Sequence, residues 1–533
     1  MTMGPFLPTR GRIGPLLSSR LDRSKEMNTA VPIGTEVVTH PSKLEKAFRE
    51  HAERPAFCFA GKYSTYAELD ADVARIRRAI RTLIPATERV VGVVANDDLL
   101  TYAALIALWA ESRAYTPLNP DAPRDRNAII AERAGINYAL CSEANEAFLT
   151  CAAIRSDELP PTEERLEFNV SKVNDLAYLL FTSGSTGEPK GVPMTHGNVA
   201  TFLSGFDALG IPFTEEDKCL QSFELTFDLS VMSYLVPLLH GACVYTVPKN
   251  EIKYGYIAEL LEEKAITVAL MVPSIINYLR PYFDEIHCPA LHSSLFCGEA
   301  LPLDVTMEWS ACVPNARILN VYGPTEHTIF CTHYPFDRGG NNKSINGVLS
   351  IGKAMEGTEL IIVDEERRVL PANSKGELCL GGGQMTPGYW NDPQKTADAI
   401  FLMERNGTSQ RFYRTGDLCT MDAEGDVLYL GRLDHQVKIQ GYRVELSEIE
   451  HHARAFLERS SAVALAVPNA LGNNEVALVI EGEESDTKPL IAYLREKLPA
   501  YMIPTRFRFV PTFPLNSNGK TDRKVLHAQM IAT

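Results

Sequence analysis

The sequence predicts an α/β fold: a large N-terminal domain with parallel and mixed sheets flanked by helices, a β-rich subdomain, and a small mobile C-terminal α+β domain. Three observations predict it. From about Lys43, apolar runs of strand length alternate with amphipathic helical stretches, the pattern of parallel sheets covered by helices. After about Gly347 the helical stretches give way to short strands separated by turns. Beyond Gly431 the alternation resumes for about 100 residues, enough for a small domain of its own. The expected boundaries are 1–30 for a disordered leader, 31–433 for the core with its β-rich part at about 347–433, and 434–533 for the C-terminal domain.

The elements follow in order. Residues 43–53 and 66–83 carry apolar side chains at helical spacing, and the continuous apolar run 89–95 is the first core strand. A helix at 100–112 precedes the next strand at 113–117. Later apolar strands are 176–181, 267–272, 294–296 and 317–322, with helical patterns between them. Short strands at 359–364, 376–380 and 427–430 make up the β-rich part. In the tail a helix at 447–457 precedes strands at 461–467 and 475–480 and a helix at 488–498, and the acidic stretch 481–486 is a solvated loop.

Composition narrows the function. Of 533 residues 45% are hydrophobic, ordinary for a globular chain with a real core. The formal net charge of −15 argues against a nucleic-acid binder, whose footprint is basic, and fits a cytoplasmic enzyme. Eleven cysteines with no C-x-x-C pair argue against a disulfide framework or zinc site and for a reducing compartment. No run reaches the ~18 apolar residues of a membrane span. The first 26 residues hold Arg10, Arg12, Arg20, Arg23 and Lys25 without a secretory apolar core, and Met27 is a natural beginning.

The most telling stretch is Thr182-Ser183-Gly184-Ser185-Thr186-Gly187-Glu188-Pro189-Lys190-Gly191, directly after the apolar run Leu179-Leu180-Phe181. Small residues let the backbone come close to a bulky anion, glycines allow turns that aim N–H groups inward, hydroxyls add donors, and Lys190 adds charge. That is a phosphate-handling loop. It fails the Walker pattern, because only Ser185 and Thr186 separate Gly184 from Gly187, and it fails the dinucleotide fingerprint. Taken alone, such a cluster is usually a plain loop or linker; its place between apolar runs argues against a loose linker. Further polar segments recur near ends of apolar strands, where α/β sheets place ligands: Asn320-Val321-Tyr322-Gly323-Pro324-Thr325-Glu326, then 413–417, 431–445 and 514–520.

With these segments in this order, the sequence resembles the adenylate-forming enzymes, specifically the amino-acid adenylation domains of nonribosomal peptide synthesis. The resemblance covers roughly residues 35–526 and takes in Phe227-Asp228-Leu229-Ser230 and the segment 376–382. Within that family, Phe227-Asp228-Leu229-Ser230-Val231-Met232 and Phe296-Cys297-Gly298-Glu299-Ala300-Leu301-Pro302 are most similar to D-alanine–carrier protein ligases. The resemblance implies activation of an amino acid by ATP to an aminoacyl-AMP, release of pyrophosphate, and transfer to the phosphopantetheine thiol of a carrier protein, with Mg2+ as cofactor. No carrier segment follows Lys520, so the expected carrier is a separate protein serving in trans.

Roles carried over by the resemblance are as follows. Thr182, Ser183, Gly184, Ser185, Thr186, Gly187 and Lys190 would form the grip on the β- and γ-phosphates. Gly298, Glu299, Ala300, Asn320 and Gly323 would line the nucleotide, with Tyr322 stacked on adenine. Thr325 would contact the α-phosphate and Glu326 would hold Mg2+, a hard cation that takes oxygen ligands. Asp417 would accept hydrogen bonds from both ribose hydroxyls, and Arg432 would add charge beside them. Lys520 would drive adenylation from above the substrate carboxylate and α-phosphate. A hinge at Asp434 would exchange Lys520 for the face bearing Lys438 and Gly441 in the thioester step.

Asp228 would pair with the substrate ammonium, and Leu229, Met232, Leu270, Leu295, Cys297, Val321, Ile329 and Phe330 would line the side-chain pocket. None of the eight is charged, and their bulk favours alanine or another small apolar amino acid. Plainer readings stand beside these: Tyr322 as a packed core aromatic, Asp417 and Lys520 as turn residues, Glu326 as a helix-start carboxylate, Arg432 in a surface ion pair, Asp228 as a helix cap. At the level of the whole chain, the rivals are an acyl- or aryl-CoA ligase of the same superfamily and a non-catalytic adenylate-binding protein.

Overall fold

The computed structural model describes residues 39–531, apart from 165–166, 185–187, 406, 435, 459–460 and 516–520. The expected leader therefore lies outside the described residues, as do Ser185, Thr186, Gly187 and Lys520.

Two large sheets carry the N-terminal domain. One has six strands, in the spatial order Ala152–Arg155, Tyr138–Cys141, Val90–Val94, Ala114–Leu118, Leu176–Thr182 and Lys190–Thr195. The first five are parallel, and the last turns back antiparallel with Thr182 opposite Lys190. The other has nine strands and is parallel through its middle, where Lys218–Gln221, Val268–Met271, Ser293–Phe296 and Arg317–Tyr322 lie side by side. One buried cluster draws Val91, Tyr115 and Tyr178 from the first sheet and Leu270, Leu295 and Val321 from the second. The helix Leu99–Ala110 in that cluster is apolar all round, and its Trp109 indole donates to the Ala177 carbonyl at 2.7 Å.

The expected elements are present with small shifts at their ends: the first helix is His40–Glu50 instead of 43–53, whereas Tyr66–Leu83 and Arg317–Tyr322 match at both ends. The second helix opens on a capping box, with Thr65 and Glu68 satisfying each other's backbone N–H groups. The β-rich part is a five-stranded antiparallel sheet of Thr358–Val363, Lys375–Gly382, Thr408–Met421, Ile400–Arg405 and Val427–Arg432. It starts later than the expected 347, because the short strand Lys353–Ala354 still pairs with Thr332–Pro335 at the edge of the nine-stranded sheet.

The smaller C-terminal domain has its own sheet of Ala462–Pro468, Asn474–Glu481 and Arg506–Val510, covered by helices Leu446–Leu457, Lys488–Lys497 and Arg523–Ile531. Its buried clusters share no residue with those of the large domain. A separate hairpin of Gln436–Ile439 and Tyr442–Glu445 projects toward the carboxyl ends of the two large sheets.

Candidate active site

The site forms where parallel strands of both sheets end. Leu176–Thr182 leads into the loop, Ser293–Phe296 into Cys297–Ala300, and Arg317–Tyr322 into Gly323–Glu326. At Gly184 an added Cβ would stand 2.1 Å from the Glu188 carbonyl oxygen, so only glycine fits that turn. The Thr182 hydroxyl is buried and has no protein partner among the described residues, as befits a donor kept for a ligand. Arg133 steadies the far side of the loop by donating to the Pro189 carbonyl at 3.0 Å and pairing with Glu188.

Glu326 is fully buried at the centre. Lys190 Nζ lies 3.2 Å from its Oε1, the Tyr389 hydroxyl donates to the same oxygen at 2.7 Å, and Arg443 donates to Oε2 at 2.6 Å. Burial pushes this carboxyl up, but Arg443 and Lys190 outweigh burial and hold it well below the usual carboxylate range. Burial and the nearby Arg443 in turn lower Lys190. A three-residue 3₁₀ turn holds Glu326, so a helix-start role does not account for it. As arranged here it does not fit a magnesium ion, because both oxygens are taken by two cations and a hydroxyl.

Asp417 and Arg432 sit opposite each other on adjacent strands. Tyr322 donates its hydroxyl to Asp417 Oδ2 at 2.5 Å, and Arg432 donates to Oδ1 at 2.9 Å. Arg432 also makes two bonds to Asp434, at 2.9 and 2.6 Å. The Tyr322 ring, Asp417 and Gly298 line an interdomain cavity of about 890 Å³, large enough for a nucleotide. The amide of Asn320 is turned away to the Ser350 carbonyl at 2.9 Å and so supports the strand. Gly323 allows a close approach: a Cβ there would lie 2.4 Å from Phe330 Cα.

Asp228 makes no side-chain cap to its helix; its carboxylate accepts the Ile329 N–H at 3.1 Å. It is 6% exposed, and burial pushes its pKa up to about 6. Of the eight expected pocket residues, Leu229, Cys297 and Ile329 line the cavity at Asp228 and Val321 lines the larger one, while all eight are buried in the main core of the large domain. The cavity left at Asp228 measures about 50 Å³ and is also lined by Thr325, Cys297 and Lys438. Burial raises the Cys297 thiol to about 12, which makes it an inert wall. Thr328 and Ile329 adopt φ of +49° and +71°, strained for β-branched residues. Gln384 holds that turn by donating to the carbonyls of His327, Thr328 and Phe330.

The C-terminal hairpin closes the site. Lys438 lines both cavities, and burial with Arg443 nearby lowers its pKa. Ser183 donates to the Arg443 carbonyl at 2.7 Å. Glu299, expected at the nucleotide, is committed to backbone: it accepts the Gly441 N–H at 2.9 Å and the Ser274 N–H at 2.8 Å. The Lys438–Gly441 face thus occupies the site. Two residues escaped sequence reasoning altogether. Tyr389 carried no motif signal, and Arg443 stood inside a recognised segment without an assigned role.

Comparisons with known proteins bear on the family and the fold. A family model described as AMP-binding enzyme matches residues 44–390, and one for the AMP-binding enzyme C-terminal domain matches 448–520. Tyrocidine synthase 1 of Brevibacillus parabrevis is 32% identical over 497 residues, 91% of this chain and 44% of that protein. Gramicidin S synthase 2 of Brevibacillus brevis is 30% identical over 499 residues, 91% of this chain and 11% of that protein. The chain therefore spans less than half the length of these relatives. Among solved structures, the Vibrio cholerae adenylation domain AlmE in complex with glycyl-adenosine-5'-phosphate matches with a TM-score of 0.81 and 26% identity, over 95% of this chain and 100% of that one. The four-domain nonribosomal peptide synthetase holo-AB3403, bound to AMP and glycine, matches with a TM-score of 0.66 and 28% identity, over 91% and 36%.

Proposed function

The chain belongs to the AMP-binding enzyme family and is an acyl-adenylate-forming ligase; from that premise we propose that it activates a small amino acid, alanine or glycine in size, and passes it to a carrier-protein thiol. The observation that carries this reading is Asp228, a carboxylate buried beside a small cavity of about 50 Å³, with Leu229, Cys297 and Ile329 on its apolar side and Lys438 across it. A buried carboxylate is costly unless a cation meets it, and a substrate ammonium is such a partner. Fatty or aryl acids bring no ammonium, and bulky side chains exceed the space. The glycyl-adenylate in AlmE and the glycine in holo-AB3403 support a small substrate.

In the first half-reaction the substrate carboxylate oxygen attacks the α-phosphorus of ATP, and the bond to pyrophosphate breaks. Asp228 would fix the ammonium, the Thr182–Lys190 loop would hold the leaving group, and Asp417 with Arg432 would fix the ribose. Lys520 would neutralise charge at the reacting oxygens. In the second half-reaction a thiol attacks the acyl carbon and AMP leaves. The orientation described above, with Gly441 at Glu299 and Arg443 on Glu326, suits that second step.

Isotope exchange between pyrophosphate and ATP tests the first step. Alanine or glycine should support exchange, whereas acetate and benzoate should not. Exchange driven equally by acetate would replace this reading with that of an acyl-CoA ligase.

A further inference from the structure

Away from the site, the C-terminal domain is fastened to one helix of the large domain, Arg124–Ala134. Arg126 donates to Glu448 Oε1 at 2.7 Å, and the two side chains are 9% and 1% exposed. Beside them Lys497 reaches Asp125 at 2.7 Å, an exposed pair of little energetic value. Glu448 belongs to the helix Leu446–Leu457, which packs on the C-terminal sheet, so the buried pair joins the two domains. The second Glu448 oxygen is buried without a partner among the described residues.

A buried ion pair between two bodies differs from one inside a single core. Its desolvation cost and its attraction exist only while the bodies are docked, because separation returns both groups to water. An apolar pair would hold the domains at least as firmly; the ion pair adds register, since misplaced docking leaves each charge buried alone.

We propose that Arg126 and Glu448 are positioning residues that select the orientation in which the Lys438–Gly441 face fills the site, and so set the rate of thioester formation without touching substrate. The inference rests on the two-orientation reading above. The same helix holds the phosphate loop through Arg133, so the latch and the loop share one rigid support.

The test compares the half-reactions in the full chain with free pantetheine as thiol acceptor. Glu448→Ala and Arg126→Ala should each slow single-turnover acylation of pantetheine about tenfold or more and leave pyrophosphate exchange within about twofold, because each leaves an unpaired buried charge only in the docked orientation. The apolar pair Arg126→Met with Glu448→Met should restore acylation. Parallel loss of both half-reactions, or acylation unchanged in the single variants, would overturn the latch. A wild-type enzyme that exchanges pyrophosphate but never acylates pantetheine would overturn the two-orientation reading itself, and the latch with it.

Discussion

On the proposed reading the Asp228 carboxylate selects for a substrate ammonium, and its titration would make that selection visible. With its pKa raised to about 6 by burial, the Asp228 carboxyl is mostly protonated below that pH and mostly ionised above it. Only the ionised form attracts an ammonium, so the KM for the amino acid should be flat above about pH 7 and rise about tenfold per pH unit below 6. Asp228→Asn should remove this dependence and lower kcat/KM about 100-fold or more, since it leaves a buried ammonium unpaired. Steady-state kinetics between pH 5 and 8 check both. Asp228 was singled out in the sequence through the family resemblance of its Phe227–Met232 segment. Gln384 was not: nothing local marks it, and its importance comes from holding a strained turn more than 50 residues earlier in the chain.

Among the elements, strands and helices of the core were legible because apolar periodicity reports burial directly. The long strand Thr408–Met421 was less so, since it pairs on both sides with irregular register and its pattern is broken at Leu418. The hairpin of Gln436–Ile439 and Tyr442–Glu445 shows the limit most clearly. Its residues could be read, but its seat between Glu299 and Glu326 depends on contacts more than 100 residues apart. Gly441 fixes that seat: it has φ of +82°, and a Cβ would stand 2.4 Å from Val272 Cγ1. Gly441→Ala should therefore slow thioester formation about tenfold or more while the adenylation half-reaction persists, because the clash with Val272 arises only on docking. Rapid-quench measurement of each half-reaction checks it; equal loss of both would argue against a docking role.

For the whole molecule, the proposed pair of half-reactions calls for two arrangements of one small domain. The described arrangement places Lys438, Gly441 and Arg443 in the site, and the other would bring Lys520 there. Lys520→Ala should abolish amino-acid-dependent exchange with the fold intact, as judged by circular dichroism and thermal unfolding. The net charge of −15 argued only against a nucleic-acid binder; it was the order of motifs that pointed to an adenylate-forming enzyme. The large scale was legible because several motifs had to fall in order along one chain. Which arrangement the domain adopts was not, because both use the same sequence. The substrate assignment is tested most directly by offering the enzyme ATP, magnesium and an equimolar mixture of amino acids of both hands with acetate and benzoate, and identifying the adenylates by mass spectrometry. Alanyl- or glycyl-AMP should form, and should be lost in Asp228→Asn. Adenylates of bulky amino acids or of acids without an ammonium would refute the assignment.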